Sequence, residues 1–201
     1  GVPDDLVPFM NHDFSMRGCF GRHAAAMSGF GHLAAGNCGT DTLSAIAFAE
    51  KYYNANVEEE LVGVSVNATE HSTVTSYIAI LMEEYGVSKL TAEIMYVEYL
   101  MEKVPTGIIS HVSDSYDFWQ FVTEGLPRLK DKILARDGKL VIRPDSGDPV
   151  KILTGYLPEE IFTEKGKTYV KDGYSEKYGI SEDIKPLSEA ERKGLIEVLT
   201  E

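Results

Sequence analysis

The stretch GKLVIRPDSGDP, residues 138–149, joins a short apolar run to a turn that is rich in charge. The run ends abruptly at Arg143, and two carboxylates, Asp145 and Asp148, follow at once. Asp, Ser, Gly and Pro each favour a turn for a separate reason, so a plain turn explains the stretch as well as a binding site does. The choice between them depends on whether the same pattern occurs elsewhere in the chain.

The same order of apolar run, polar turn and helix occurs three times. The runs are ELVGVSVN (60–67), GIISHVS (107–113) and KLVIRP (139–144). Runs rich in Val and Ile that alternate with helices are typical of parallel strands buried on both faces, which predicts an α/β fold. Further helices are predicted at 40–53, 91–103 and 126–136.

The charge, the apolar runs and the cysteine count of the sequence argue against several classes of protein. The 201 residues carry a formal net charge of -13, which argues against nucleic acid and anionic membrane as partners because both attract basic surfaces. No apolar run reaches the roughly 18 residues of a transmembrane helix, and the N-terminus lacks a signal-peptide pattern. Cys19 and Cys38 form no C-x-x-C pair, and two cysteines are too few for a disulfide framework. We therefore expect a cytoplasmic protein.

The two ends of the sequence suggest a segment of a longer protein. The chain begins without Met, and a capping box over Ser188–Glu191 opens a helical pattern that continues to Glu201. No Gly or Asn follows to close this helix. The preceding stretch, 157–185, is rich in charge and glycine and is predicted to be a surface excursion.

Functional groups in parallel α/β folds gather where strands end and helices begin. The three runs deliver the following residues there: Glu70 and His71, Asp114 and Ser115, Arg143 and Asp145. Asp114 and Asp145 lie 31 residues apart, about one βα unit, so neighbouring strand ends could bring both carboxylates to one cation. Mg²⁺ is usually held by one or two carboxylates with phosphate oxygens and water. The opening stretch is therefore predicted to form one wall of a phosphate and metal site.

Each of these residues also has an ordinary structural explanation. Asp114 is a good helix N-cap, and Glu70 in a first helical turn complements the helix dipole. A lone His71 at that place is more often a surface residue than a catalyst. The GTDT stretch (39–42) fits a helix start, and Phe14 fits a core aromatic. With no P-loop, G-x-G-x-x-G, H-E-x-x-H or G-x-S-x-G motif, pattern alone predicts an α/β enzyme for a phosphorylated substrate with Mg²⁺.

Five motifs in order resemble the nicotinamide phosphoribosyltransferase family: HDFSMRG (12–18), GTDT (39–42), ATEHST (68–73), SDSYD (113–117) and IRPDSGDP (142–149). The resemblance is greatest to its bacterial and bacteriophage branch. It implies synthesis of nicotinamide mononucleotide and pyrophosphate from nicotinamide and phosphoribosyl pyrophosphate. The chain departs from the family at Asn67, where proline is usual, and over 19–38, which match only loosely.

The resemblance also assigns the residues around the base. Phe14 would stack on the pyridine ring. Asp41 would accept a hydrogen bond from the carboxamide, with Ser110 nearby. Ser65 and Ala68 would line the channel to the base. A carboxylate at Asp41 accepts from an amide N–H and repels the carboxylate of nicotinic acid, which predicts selectivity for the amide.

The remaining assignments concern phosphate and metal. Arg17 would contact the phosphates, and Arg143 with Asp145 would hold the ribose and diphosphate. His71 would be phosphorylated by ATP, with Asp114 beside it. Asp114 and Asp145 would serve the Mg²⁺–pyrophosphate. Metal and arginine would neutralise the leaving group, while carboxylates stabilise the positive charge that develops on the sugar.

The family fold implied is an irregular parallel α/β barrel of the type II phosphoribosyltransferase kind, truncated here at both ends. Residues 1–156 would form the barrel core, and 157–201 the surface excursion and terminal helix of the same domain. The full-length protein would be a homodimer whose site takes an aromatic residue from the partner chain. The family's glycine-rich phosphate loops would lie beyond Glu201, so we expect this segment alone to be inactive.

Two other functions remain open on the sequence. A nicotinate or quinolinate phosphoribosyltransferase needs basic groups for a carboxylate substrate, which Asp41 does not supply. A non-catalytic sugar-phosphate-binding module is the alternative outside enzymes. The joint presence of Asp41, His71, Asp114 and the Arg143–Asp145 turn argues against it.

Overall fold

The computed structural model describes residues 3–171 and 185–200. Its contacts divide the chain into two compact units, an N-terminal unit, Gly1–Val66, and a C-terminal unit, Asn67–Glu201. This boundary falls inside the predicted 60–67 strand. The predicted division into a barrel core over 1–156 and an excursion over 157–201 stays a prediction.

The N-terminal unit is mainly helical. In chain order its elements are a 3₁₀ helix Asp4–Phe9, strand β1 His12–Asp13, a 3₁₀ helix Ser15–Gly18, helix α1 Arg22–Ala34, strand β2 Gly39–Thr40 and helix α2 Leu43–Tyr53. Helices α1 and α2 pack through small side chains, and a Cβ added at Gly29 would lie 2.8 Å from that of Ala45. The two strands pair in parallel, His12 with Gly39 and Asp13 with Thr40.

The predicted strand at 60–67 is largely wrong. Only Asn67 and Ala68 form a strand, β3, while Val64 makes a single bridge to Gly39. The reason is a change of partner: the Val64 N–H donates to Cys38 and its carbonyl accepts from Thr40, whereas β3 pairs with a strand of the C-terminal unit. Because successive residues of this stretch hydrogen-bond to two different partners, the stretch cannot form one continuous β-ladder.

The C-terminal unit carries the parallel sheet. In chain order its elements are β3 Asn67–Ala68, α3 His71–Tyr85, α4 Lys89–Lys103, β4 Thr106–Val112, α5 Phe118–Gln120, a π-helical turn Phe121–Gly125, α6 Leu126–Ala135, β5 Asp137–Arg143, α7 Pro149–Thr154, a 3₁₀ helix Pro158–Glu160, β6 Ile161–Glu164, β7 Lys167–Val170, α8 Glu189–Lys193 and α9 Leu195–Thr200. Strands β3, β4 and β5 lie side by side in this order, and both pairings are parallel.

The two longer strands confirm the sequence prediction, and their register sets the site. Strand β4 pairs with β5 along its whole length, from Thr106 with Asp137 to Val112 with Arg143. Both therefore end at the same edge, where their turns begin. Burial on both faces holds only for the last four residues of β4, since β5 alternates half-buried and exposed side chains. That alternation is typical of a strand covered on one face.

Helices α4 and α6 form the main core against this sheet, as predicted from the 91–103 and 126–136 patterns. Val97, Ile109, Phe121 and Leu129 are buried together at its centre. Phe121 opens the π-helical turn that joins α5 to α6 without a break in the helical rod. The sheet edge thus rests on a closely packed layer of apolar side chains.

The last segment of the chain packs back against the end of α7 at two glycines, Gly155 and Gly194. The capping box at Ser188 and Glu191 is present in both directions, as predicted. The predicted continuous helix to Glu201 is wrong, because Gly194 has φ 85° and ψ 161° and separates α8 from α9. A Cβ at Gly155 would lie 2.2 Å from the Arg192 carbonyl oxygen, so the chain crosses there as closely as backbones allow.

The predicted excursion contains the antiparallel hairpin β6–β7. The rest of that prediction, 172–184, lies outside the described residues. Across the part of the chain that is described, no helix combines the length and apolarity needed to cross a membrane.

Candidate active site

Two carboxylates meet where β4 and β5 end. Asp114 follows β4, and its Oδ2 accepts from the Asp145 N–H (2.9 Å), the Ser146 N–H (2.8 Å) and the Ser146 hydroxyl (2.6 Å) of the turn after β5. The structure therefore places Asp114 and Asp145 at neighbouring strand ends, and the cation that they were predicted to share stays a prediction. The turn is also the reason that the opening stretch ends in polar residues: its backbone N–H groups bind the neighbouring carboxylate.

The environment of Asp114 keeps it ionised. Burial would raise the pKa of its carboxyl, but the Ser146 hydroxyl, the two backbone N–H groups and nearby His71 outweigh burial and hold the pKa below its usual value. The side chain is only 8% exposed. Its second oxygen, Oδ1, is buried and accepts no hydrogen bond from the described residues. A buried carboxylate oxygen without a hydrogen bond is costly, and a cation or a donor at this oxygen would offset the cost.

His71 lies against both carboxylates from the third strand end. It is the first residue of α3, directly after the N-cap Glu70. Its Nδ1 is 2.9 Å from the Ser115 Oγ, and its Nε2 is 3.3 Å from Asp145 Oδ2 and 3.6 Å from Asp114 Oδ1. Ser115 thus fixes one ring nitrogen and directs the other toward the carboxylates.

Arg143 completes this group, the Asp114 cluster, defined as His71, Asp114, Arg143 and Asp145. Its Nη1 donates to Asp145 Oδ1 at 2.7 Å and its Nη2 to the Thr69 carbonyl at 3.0 Å. Its Nε is buried with no acceptor in the described residues. The guanidinium is therefore held on two sides, beside Asp145 and the Thr69 carbonyl, at the edge where the two carboxylates lie.

Ala68, predicted to line the channel to the base, and Ser110, predicted to lie near the carboxamide, are paired neighbours. They are opposite each other in the β3–β4 ladder, and the Thr69 N–H donates to the Ser110 carbonyl at 2.9 Å. Ser110 is buried and Ala68 exposed. Both lie on the strands that lead to the Asp114 cluster.

The N-terminal unit holds a second group, the Asp41 cluster, defined as His12, Asp41 and Ser65. Asp41 Oδ1 lies 3.0 Å from His12 Nε2 and accepts from the Ser65 hydroxyl at 2.5 Å. Both of these contacts are made to the same oxygen, Oδ1. Phe14, 45% exposed, has its ring centroid 4.5 Å from that of His12. The predicted base-binding residues Phe14, Asp41 and Ser65 are thus neighbours.

Asp13 supports the Asp41 cluster and was missed from the sequence. Its Oδ1 accepts from the Ser15 N–H at 2.9 Å, and its carbonyl accepts from the Asp41 N–H at 2.9 Å. Burial would raise the pKa of the Asp13 carboxyl, but hydrogen bonds from Ser15, Thr42 and Thr40 lower it further than burial raises it. A carboxylate within the HDFSMRG motif, directly before a turn, was the available signal.

Two residues remain: Arg17, which was predicted to contact phosphate, and Thr69, which was not predicted. Arg17 is exposed in the 3₁₀ helix Ser15–Gly18, and its assignment to phosphate stays a prediction. Thr69 received no role from the sequence, although its carbonyl holds Arg143. A threonine between two motif residues carries no pattern of its own.

The donor set fits one divalent cation shared with phosphate oxygens. Within residues 3–171 and 185–200, no group of three or more His, Cys, Asp or Glu side chains is arranged to enclose a metal. Asp114, whose Oδ1 has no hydrogen-bond donor among the described residues, and half-exposed Asp145 instead supply two carboxylates at one sheet edge. Mg²⁺ bound to a substrate phosphate needs no more from a protein.

Comparison with known proteins agrees with these motifs. Residues 9–196 match the model of the nicotinate phosphoribosyltransferase (NAPRTase) family. A nicotinamide phosphoribosyltransferase of Acinetobacter baylyi is 42% identical over 195 residues, which cover 87% of this chain and 35% of the relative. Proteins of the same name from Xanthomonas campestris and Mycoplasma pneumoniae are 38% and 32% identical, over 75% and 72% of this chain and 30% and 26% of those relatives.

This chain therefore spans about a third of the length of the curated relatives it matches. The family match extends over both units, from the 3₁₀ helix before β1 to α9. It includes every residue of the Asp41 and Asp114 clusters. The chain belongs to the nicotinate phosphoribosyltransferase family.

Proposed function

We propose that the protein carrying this chain transfers the phosphoribosyl group of phosphoribosyl pyrophosphate to nicotinamide, giving nicotinamide mononucleotide and pyrophosphate. The observation that carries this proposal is the Asp114 cluster, in which an arginine, a histidine and two carboxylates converge at one edge of a parallel sheet. Relatives named nicotinamide phosphoribosyltransferase support the choice of substrates.

The chemistry demands opposite charges close together. The bond from the anomeric carbon to pyrophosphate breaks as the bond to the pyridine nitrogen forms, and positive charge develops on the ribose. Arg143 would bind the departing diphosphate, and the fixed position of its guanidinium beside Asp145 supports that role. The ionised carboxylates would stabilise the ribose charge.

Mg²⁺ is the cofactor we propose at Asp114 and Asp145. When bound, it would neutralise part of the charge on the leaving pyrophosphate. Asp114 Oδ1 is buried without a hydrogen-bond donor among the described residues, which supports a ligand role, while the three donors on Oδ2 hold the carboxylate in place.

ATP is proposed as a coupled phosphate donor to His71. The nitrogen of His71 would form a bond to the γ-phosphorus while the bond to ADP breaks. Nε2 is the nitrogen we assign, because the Ser115 hydroxyl occupies Nδ1. The position at the start of the 15-residue helix α3 favours an added phosphate.

Asp41 is proposed to select the amide. Its Oδ1 is held by His12 and Ser65, which leaves Oδ2 to accept from a carboxamide N–H. A nicotinate substrate would place its carboxylate against this anion, and like charges in contact cost several kcal/mol. This feature favours the nicotinamide reaction over the nicotinate reaction within the family.

The finer structural expectations are also proposals. The parallel β3–β4–β5 sheet with helices α4 and α6 packed on it supports a place in a larger α/β barrel, because a closed barrel of this type needs about eight strands. We further propose a homodimer, a cytoplasmic location, and no activity for the 201-residue segment by itself.

Steady-state kinetics with both bases test the function. The protein as its gene encodes it is assayed with phosphoribosyl pyrophosphate, Mg²⁺, and either nicotinamide or nicotinate, and the two mononucleotides are separated by chromatography. We expect kcat/KM for nicotinamide to exceed that for nicotinate. Preference for nicotinate would replace the proposed reaction with the nicotinate reaction, and binding without turnover would favour the sugar-phosphate-binding module.

A further inference from the structure

A buried ionisable pair lies beneath the Asp114 cluster and has no role in the proposed chemistry. His111 of β4 is fully buried, and Glu93 of α4 is 2% exposed. The His111 Nε2 lies 3.2 Å from Glu93 Oε1. Buried charged groups are costly, and an apolar pair of the same volume would often be at least as stable. Such a pair therefore calls for an explanation other than stability.

The other ring nitrogen of His111 leads toward the site. His111 Nδ1 is 3.3 Å from the Thr69 hydroxyl, and the same hydroxyl oxygen accepts from the Val112 N–H at 2.9 Å. Thr69 is buried, so it has no water to replace these partners. The side chain of Thr69 is fixed by the pair and by the backbone of β4 together.

Thr69 in turn fixes the residues around it. Its carbonyl accepts from Arg143 Nη2 at 3.0 Å. It stands between Ala68 of β3 and Glu70, the N-cap of the helix that starts at His71. A rotation of the Thr69 peptide would move the Arg143 acceptor and the first turn of α3 at once.

We propose that Glu93 and His111 are positioning residues that hold Arg143 through Thr69. This inference rests on the proposed function, since it gives Arg143 the task of binding the diphosphate of phosphoribosyl pyrophosphate. The order of contacts is Glu93, His111, the Thr69 hydroxyl, the Thr69 carbonyl and the Arg143 guanidinium. None of the first three groups touches substrate in this scheme.

Conservative substitutions test the scheme. Thr69→Val removes the hydroxyl and keeps the volume, whereas Thr69→Ser keeps the hydroxyl and serves as the rescuing variant. Glu93→Gln and His111→Gln weaken the two earlier contacts. Glu98→Gln is the matched control, because Glu98 lies on the same helix but pairs with Lys132 at the surface. All are made in the protein as its gene encodes it.

Kinetics separate positioning from general damage. We expect Thr69→Val, Glu93→Gln and His111→Gln to raise KM for phosphoribosyl pyrophosphate about 5- to 20-fold, with KM for nicotinamide changed less than about twofold. Thr69→Ser and Glu98→Gln should stay near wild type. In a double-mutant cycle with Arg143→Lys, the effects should be less than additive, because each removes the same contact. Equal changes in both KM values, or full additivity, would overturn the inference.

A second readout does not depend on catalysis. The guanidinium signals of Arg143, assigned by their loss in Arg143→Lys, are followed by ¹⁵N NMR. We expect faster hydrogen exchange and shifted signals in Glu93→Gln and Thr69→Val, and no change in Glu98→Gln. Unchanged Arg143 signals would contradict the relay even if activity fell. If the wild-type protein formed no mononucleotide, the proposed function would fail, and these signals would still decide whether the pair positions Arg143.

Discussion

The two units hold their functional carboxylates in contrasting ways. In the C-terminal unit, Asp114 is 8% exposed and accepts three hydrogen bonds at the end of two paired seven-residue strands. In the N-terminal unit, Asp41 is 41% exposed and follows strands of only two residues each. One carboxylate is built into a rigid sheet edge, and the other is presented on a short loop.

The contrast matches the two tasks in the proposed reaction. Stabilising charge in a transition state requires groups that are already in place, because reorganisation during the reaction would cost free energy. Choosing between an amide and a carboxylate requires only that one charge face the substrate. We therefore expect substitutions in the Asp114 cluster to change rates, and substitutions in the Asp41 cluster to change selectivity.

The largest expected effect is complete loss of phosphoenzyme in His71→Ala. With γ-labelled ATP, the wild-type protein should acquire an acid-labile label, and the variant should show none, because the only proposed acceptor nitrogen is gone. His23→Ala is the control, since His23 lies on α1 in the other unit. An undiminished label in His71→Ala would show that His71 is not the phosphate acceptor. The Asp114 cluster would then contain no proposed acceptor.

Asp145→Ala should lower kcat/KM for nicotinamide by about 100- to 1000-fold. It removes the acceptor of Arg143 and a proposed metal ligand, and loss of one preorganised charge contact in an active site has an effect of this size. Asp148→Asn is the matched control in the same turn, because Asp148 only caps α7. Steady-state kinetics measure both. A loss in kcat/KM below about tenfold would mean that Asp145 at the sheet edge contributes little to the reaction rate.

Asp41→Asn should reduce discrimination against nicotinate by roughly 1–3 kcal/mol, about 5- to 150-fold in the ratio of the two kcat/KM values. The asparagine keeps the shape and removes the charge. Ser65→Ala is the companion variant, since it keeps the charge and removes one hydrogen bond to Oδ1. Competition assays with both bases give the ratio. If Asp41→Asn lowers the rate with both bases equally, the division of tasks between the units is wrong.

The smallest expected effect concerns stability and pH. Asp114→Asn should lower the free energy of unfolding by about 1–3 kcal/mol at neutral pH, through hydrogen bonds to a charged acceptor that are lost or weakened. The pKa of Asp114 is lowered in the folded state, so its contribution is complete above the unfolded value near 3.8 and is lost as pH falls toward the folded value. The difference between wild type and variant should therefore shrink below about pH 4.

Urea unfolding from pH 7 to pH 3 measures this difference. Asp41→Asn provides the comparison, because substitution of an exposed side chain usually changes stability by less than about 0.5 kcal/mol. A pH-independent difference for Asp114→Asn would show that its hydrogen bonds do not favour the ionised form.

Sequence patterns predicted the strands of the C-terminal unit better than those of the N-terminal unit. Strands β4 and β5 were found because each satisfies its apolar run with one ladder, and Asp114 and Asp145 follow them directly. The 60–67 run failed because Val64 and Ala68 bond to different partners, which local periodicity cannot reveal. Long-range pairing decided that segment.

Two further omissions have separate causes. Helix α1 is rich in alanine and glycine, so it shows little apolar periodicity although it packs closely on α2. The Glu93–His111 pair is invisible in sequence because one residue lies on a helix and the other on a strand. Candidate site residues could be predicted from the recurring order of strand, turn and helix and from the family resemblance, whereas their supporting contacts required coordinates.

The crossing at Gly155 and Gly194 affects how the family can vary. The Tyr156 N–H donates to the Arg192 carbonyl at 3.0 Å, so the chain leaves the end of α7 and returns to it at the end of α8. Because this junction is closed on its own, the length of chain between its two sides has little effect on the frame around it, and each doubling of such a loop costs only about 0.6 kcal/mol. We expect homologous proteins to tolerate insertions and deletions between these glycines, and protein engineers to find there a permissive position for grafted segments.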